Sequence, residues 1–104
     1  MELFKNIIGF DWDEGNTDKN WAKHKVLSKE CEEIFFNDPL VITSDKKHSI
    51  VEKRYLCFGR TNTNRLLTII FTIRKNKIRI ISARSQNRKE KKYYENETKK
   101  NTEI

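Results

Sequence analysis

The side chains in this sequence best suited to chemistry are basic, and several stand at strand spacing. Glu52 and Arg54 are two apart with His48 just ahead of them, and Arg65, Arg74, Arg79 and Arg84 follow. A carboxylate, an imidazole and several guanidiniums form a set that acts on a phosphodiester. Cleaving RNA by attack of its own 2′-hydroxyl needs a group to take the hydroxyl proton and a group to protonate the leaving oxygen. It also needs fixed positive charge for the negative charge that builds on phosphorus. Histidine serves either proton role near neutral pH, and arginine donates bidentately to phosphate oxygens. Glu52 is a base weakened by neighbouring guanidiniums, and equally an orienting partner for Arg54 or His48.

Each piece also has a plainer reading. A Glu-x-Arg pair on a strand is commonly a surface ion pair of little energetic weight. Trp12 and Trp21 read first as core anchors, with stacking on bases as the functional alternative. Tyr93 and Tyr94 more often pack a helix onto a sheet than touch substrate, although one of them could hydrogen-bond a phosphate. Cys31 and Cys57 stand 26 residues apart with no CxxC pair. They read as small buried hydrophobes, so neither a metal site nor a cofactor is expected.

Charge is distributed unevenly. The chain has 104 residues and a net charge of +7, but residues 1–52 carry a net of −4 and residues 53–104 a net of +11. Between Arg74 and Lys92 nine basic residues face a single acid, Glu90. Such asymmetry points to a polyanionic partner, either nucleic acid or an acidic protein. No apolar run is long enough to span a bilayer. The N-terminus lacks the basic and apolar regions of a secretory signal, so a cytoplasmic protein is expected.

The elements that must position these groups follow from pattern. Leu3 to Trp12 suits a first strand, and Asp18 a cap for a short helix through Asn20, Trp21, Ala22, Lys23 and His24. Ser28 suits the cap of a second helix, whose Cys31, Ile34 and Phe35 form a buried stripe. Asn37-Asp38-Pro39 ends that helix. Strands are expected at Leu40–Thr43, Ile50–Phe58 ending at Gly59, Leu66–Ile73 and Lys77–Ala83, with short turns that make an antiparallel meander. On the last strand, alternation puts Ile78, Ile80, Ser82 and Arg84 on one face and Arg79 on the other. Lys89–Tyr94 reads as a helix, and the polar stretch 96–104 as a frayed tail after a single domain over 1–95. The fold class expected is α+β: two N-terminal helices, a small antiparallel sheet and a C-terminal helix.

The ordered motifs add a resemblance. The sequence has Phe10-Asp-Trp-Asp13, Asn20-Trp-Ala-Lys-His24, Asn37-Asp-Pro39 and Asp45-x-x-His48-Ser49-x-x-Glu52-x-Arg54. It continues with Gly59-Arg60-Thr61, Arg65-Leu-Leu67, Thr72-x-Arg74, Ile78-Arg-Ile-Ile-Ser-Ala-Arg84 and Arg88-x-Glu90 with Tyr93. In that order they resemble the BrnT family of toxin ribonucleases, from about residue 10 to residue 94.

The resemblance implies a RelE-like fold and a metal-independent endoribonuclease that inhibits translation. It also implies a BrnA-like antitoxin as partner, with operator DNA met only through the toxin–antitoxin complex. It marks His48, Glu52, Arg54, Arg65 and Arg84 as catalytic positions. Trp12, Lys23, His24, Arg74, Arg79, Arg88 and Tyr93 become RNA-binding positions. Two departures stand out: Lys25 occupies a place where the family has glycine, and Gln86 one where a small apolar residue is expected. A non-catalytic module that binds nucleic acid or antitoxin is the competing reading. Salt-sensitive RNA binding without cleavage would mark it.

Overall fold

The computed structural model describes residues 2–45 and 52–102. A short 3₁₀ turn, Glu2–Phe4, leads into β1 (Gly9–Asp11). Helices α1 (Glu14–His24) and α2 (Ser28–Ile34) follow. Strands β2 (Val41–Ser44), β3 (Tyr55–Arg60), β4 (Leu66–Arg74) and β5 (Lys77–Ser85) come next, then α3 (Arg88–Thr102). The fold is α+β with a five-stranded mixed sheet in the order β1-β5-β4-β3-β2.

β2 to β5 form the expected antiparallel meander, but β1 joins the β5 edge in parallel. Its pairing covers only Lys77–Arg79, and Leu3 to Phe4, expected as strand, form the 3₁₀ turn instead. Beyond that pairing α1 takes over the β5 edge. The buried Asn20 side chain accepts the Ala83 N–H at 3.2 Å, so a donor otherwise left unpaired on the strand edge is satisfied.

One face of the sheet carries the core. Leu67, Ile69 and Phe71 of β4, Cys57 of β3, and Ile78, Ile80 and Ala83 of β5 meet Val26, Cys31 and Ile34 from the α2 side. The predicted stripe on α2 is therefore buried as expected, with Phe35 edge-on to Phe71 at 5.3 Å between ring centroids. Both cysteines are free and fully buried. Burial, then the nearby Glu30 and Glu32 charges, push the Cys31 thiol up to about 12, so both behave as apolar groups.

Four boundaries differ from the sequence reading. Gly59 lies inside β3 rather than ending it. A Cβ there would meet Ile34 Cβ at 3.0 Å, so glycine is what lets α2 sit against the strand. β3 itself begins at Tyr55, and Glu52 to Arg54 precede it. α1 begins at Glu14, four residues before Asp18, so that aspartate lies within the helix. α3 runs on to Thr102, making the polar stretch from Asn96 helical, and its Lys100–Glu97 and Lys99–Glu95 pairs have helical spacing.

The helix ends show how local sequence sets these limits. Leu27, not Ser28, is the N-cap of α2, and Glu30 reaches back to accept the Leu27 N–H at 3.0 Å. This is half of a capping box, since leucine has no acceptor to return. α3 has the whole motif. Asn87 Oδ1 accepts the Glu90 N–H at 2.8 Å, and Glu90 Oε1 accepts the Asn87 N–H at 2.9 Å. α1 ends in a left-handed residue, Lys25, at φ 55°, whose N–H donates to the Trp21 carbonyl at 2.9 Å. The departure from glycine therefore keeps the helix end and strains the residue, with Lys25 Nζ resting 5.2 Å from the Trp21 ring centre.

Lys25→Gly relieves that left-handed conformation. It is expected to stabilise the fold by about 0.5–1 kcal/mol after loss of the cation–π contact, a rise of a few degrees in Tm. Thermal and urea unfolding of the two proteins check this, and an unchanged or lower midpoint contradicts the strain argument.

Candidate nucleic-acid interface

The sheet's second face carries the arginines, and a β-bulge assembles it. Ile70 pairs with Ser82 but Phe71 pairs with Ile80, so Ile81 is the extra residue on β5. The bulge shifts alternation by one. Arg79 pairs with Thr72 and Arg84 with Thr68, and both threonines lie on the same side of β4. Strict alternation placed Arg79 and Arg84 on opposite faces. The extra residue brings them onto one, while Ile78, Ile80 and Ala83 all reach the core.

Arg74, Arg79 and Arg84 on this polar face are each held by carboxylates. Arg74 pairs bidentately with Glu52, Nε to Oε2 at 3.0 Å and Nη2 to Oε1 at 3.1 Å. Arg79 reaches Asp13 at 2.7 Å and Asp11 at 3.4 Å. Arg84 pairs with Glu90 at 2.6 and 2.8 Å. Arg54, just before β3, adds its field to that of Arg74 on Glu52. The Arg74 hydrogen bond holds the Glu52 carboxyl below the usual carboxylate range, with Arg54 and Arg79 reinforcing it. Glu52 is thus an ionised orienting group here and a poor base.

His24, at the C-terminal end of α1, also senses this face. Desolvation first, then Lys23, Arg84 and Lys19, pull its imidazole below the ordinary value, so it is neutral at neutral pH and can accept a proton. Lys23 and Arg88 are exposed, Arg88 being the first residue of α3. Tyr93 is half-exposed and packs edge-on to Phe58 at 5.4 Å, while its neighbour Tyr94 is buried and donates to the Pro39 carbonyl at 2.6 Å. Tyr93, Phe58, Leu56, Thr43 and Glu90 line a cavity of about 440 Å³ between α3 and the sheet.

Two predicted site residues do other work. Arg65 is not brought to the polar face. Its guanidinium donates to the Lys25 and His24 carbonyls at 2.7 and 3.2 Å, to Glu30 at 3.1 and 3.3 Å, and to Ser85 Oγ at 3.1 Å. It is a clamp tying the α1–α2 junction to the sheet. Trp12 packs against the core and its indole N–H donates to Glu32 at 2.7 Å. His48 lies outside the described residues. Among the described residues no group of three His, Cys, Asp or Glu side chains could hold a metal ion. Nor is any helix there long and apolar enough to cross a membrane.

Sequence reasoning missed Glu90, Asp11 and Asp13 as members of this face. Asn87-x-x-Glu90 before a helical run is a capping signal that could have flagged Glu90. Gln86 is also explained. It is buried, its amide donates to the Leu67 carbonyl at 3.1 Å, and its own N–H donates to Leu66 at 3.0 Å, fastening the strand-to-helix turn to β4.

The chain is thus a small basic α+β domain whose sheet presents Arg74, Arg79 and Arg84 on one face. Residues 12–90 match the family described as the ribonuclease toxin, BrnT, of type II toxin–antitoxin systems. The chain belongs to that family. No curated protein sequence matches the chain.

Two stability measurements separate clamp from surface. Arg65→Ala strips two carbonyls, Glu30 and Ser85 of their donor, and is expected to cost about 2–3 kcal/mol in urea unfolding. Arg74→Ala removes a water-screened pair and leaves the midpoint in place. Equal losses would contradict the division. For Glu90, partial burial raises the carboxyl pKa, but the Arg84 hydrogen bond and the Asn87 N–H outweigh it and hold the pKa low. Stability from such a group is complete above the ordinary carboxylate range and is lost as pH falls through the folded value. The unfolding free-energy gap between wild type and Glu90→Gln is therefore expected to be full at about pH 7 and to close towards about pH 3. A gap that widens on acidification reverses the sign.

Proposed function

We propose that this chain is the toxin of a type II toxin–antitoxin system and a metal-independent endoribonuclease. The observation that carries this reading is the bulged strand, which sets Arg79 and Arg84 on one face with Arg74 and Glu52. Family membership supplies the activity class. The fold is read as RelE-like, since a small meander with an open basic face suits that description, and the cellular outcome is read as arrest of translation.

In this mechanism the 2′-hydroxyl oxygen attacks the adjacent phosphorus in line as the P–O5′ bond breaks. The products are a 2′,3′-cyclic phosphate and a 5′-hydroxyl. Arg84, Arg54, Arg74 and Arg79 supply the positive charge that the phosphorane needs, with Arg74 and Arg79 trading a carboxylate for a phosphate oxygen as RNA binds. A neutral imidazole takes the hydroxyl proton. His24 has the protonation state for it, and in this proposal His48 is the group that protonates the leaving oxygen. Lys23, Arg88 and Tyr93 flank the face and hold the strand on either side of the cut. A BrnA-like antitoxin is read as the neutralising partner, covering this same face in the cytoplasm, with operator DNA bound only by the complex.

Purified protein freed of antitoxin, incubated with total RNA in EDTA, tests this. Wild type is expected to leave fragments with 5′-hydroxyl ends, and Arg84→Ala to cut about 10²-fold more slowly or worse while keeping its circular dichroism spectrum. Salt-sensitive binding with intact RNA, for wild type as for Arg84→Ala, would overturn the enzyme reading in favour of a binding module. Equal cleavage by both would remove Arg84 from the site.

A further inference from the structure

The carboxylates of the polar face differ in where they come from. Asp11, Asp13 and Glu52 belong to β1 and to connecting segments, whereas Glu90 belongs to a helix and is fixed by that helix's own cap. Its Oε1 takes Nη1 of Arg84 and also the Asn87 backbone N–H, and its Oε2 takes Nη2. Glu90 thus grips the end-on edge of the guanidinium. Nη1 donates further to the Ser85 carbonyl at 3.3 Å.

A guanidinium has five N–H groups. The Arg84 Nε–H and the Nη2–H beside it form a second, side-on edge that makes no hydrogen bond among the described residues. That edge binds carboxylates well in this fold, for Arg74 uses its own Nε and Nη2 on Glu52 at 3.0 and 3.1 Å. The side chain of Arg84 is 38% exposed and that of Glu90 only 16%, so the carboxylate is the more sheltered partner and part of Arg84 remains open to solvent. α3 cannot easily drift, because Tyr94 bonds the Pro39 carbonyl and Tyr93 rests on Phe58.

We infer that Glu90 is a positioning residue for RNA cleavage, its carboxylate holding one edge of Arg84 so that the other edge is presented to two oxygens of a phosphate. This rests on the polar face being the RNA-cleaving site. An unheld arginine spreads over many rotamers and must be ordered when the substrate arrives. A held one is already in place, and displacements of about 1 Å are enough to cost 10²-fold in rate. Charge and position make opposite demands on Glu90. As a charge it repels RNA, so removing it should tighten binding. As a holder it acts on the chemical step.

The test is single-turnover and steady-state RNA cleavage by wild type, Glu90→Gln, Asn87→Ala, Arg84→Ala and the Glu90→Gln/Arg84→Ala double variant. Glu90→Gln is expected to lower kcat about 10–100-fold with KM unchanged or lower. It should add nothing further to Arg84→Ala. Asn87→Ala removes one half of the α3 cap but leaves the Asn87 N–H that Glu90 accepts, so it should lower Tm and cost kcat less than Glu90→Gln does. A Glu90→Gln kcat equal to wild type overturns the proposal. So does an equal fractional loss in the Arg84→Ala background, which would mark a general structural effect. A second readout does not depend on cleavage: the ¹⁵N Nε–H resonance of Arg84 on titration with a 2′-deoxy oligonucleotide. If wild type leaves RNA intact, the ribonuclease reading fails and this resonance decides. A saturating shift in wild type that differs in Glu90→Gln upholds the clamp. The same shift in both proteins, or none in either, overturns it.

Discussion

One extra residue in β5 decides what the two faces of the sheet carry. From Lys77 to Ile80 the strand alternates in one phase, and from Ser82 to Ser85 in the other, with Ile81 absorbing the change. Without that step, the strand could put Ile78 and Ile80 in the core only by turning Ala83 outward and burying Arg84. A buried unpaired guanidinium is costly. The bulge therefore satisfies core and polar face together. It also sits at the centre of the sheet, where β4 and β5 share their longest pairing, and both Arg79 and Arg84 take their places from it.

Around this strand the acidic and basic halves of the chain fold against each other. Arg65 meets Glu30, Arg74 meets Glu52, and Arg79 meets Asp11 and Asp13, so basic side chains from the second half find acids from the first. Part of the asymmetry that pointed to a polyanionic partner is thus answered within the fold. The consequence for function is an exchange rather than a simple attraction. RNA, or an acidic antitoxin segment, meets guanidiniums that already hold carboxylates, and gains only the difference between the two sets of charge-assisted bonds. The exposed pairs exchange easily because water screens them, whereas the Arg65 clamp, half-sheltered and bonded on several sides, stays in place.

Much of this was legible in the sequence because it depends on local pattern. The stripe of Cys31, Ile34 and Phe35, the Asn-rich and Lys75-Asn76 turns, and β4 and β5 to within two residues all follow from periodicity and turn chemistry. What escaped depends on tertiary context. A bulge leaves no signature in a run such as Ile78-Arg-Ile-Ile-Ser-Ala-Arg84, because isoleucine is suited to either face. Gly59 looks like a turn residue until a helix is known to lie against it. Arg65 and Arg84 are indistinguishable by type and by neighbours, yet one ties a helix junction to the sheet and the other opens onto the polar face. Trp12 suits either an anchor or a stacking role by type, and its bond to Glu32 is a tertiary contact that no local pattern announces.

The polar face and the last helix form one mechanical unit. Asn87 and Glu90 close a capping box, and the same Glu90 carboxylate closes the Arg84 pair, so a bond that starts a helix also orients a strand residue. Burial of the α3 side chains against β3 then bears on Arg84 through that single carboxylate. Arg74 and Arg79 have no helix cap behind their partners, which stand on β1 and on connecting segments. A face with one arginine held in register and others able to yield is suited to a reaction in which one phosphate must be fixed while the flanking chain is still being accommodated.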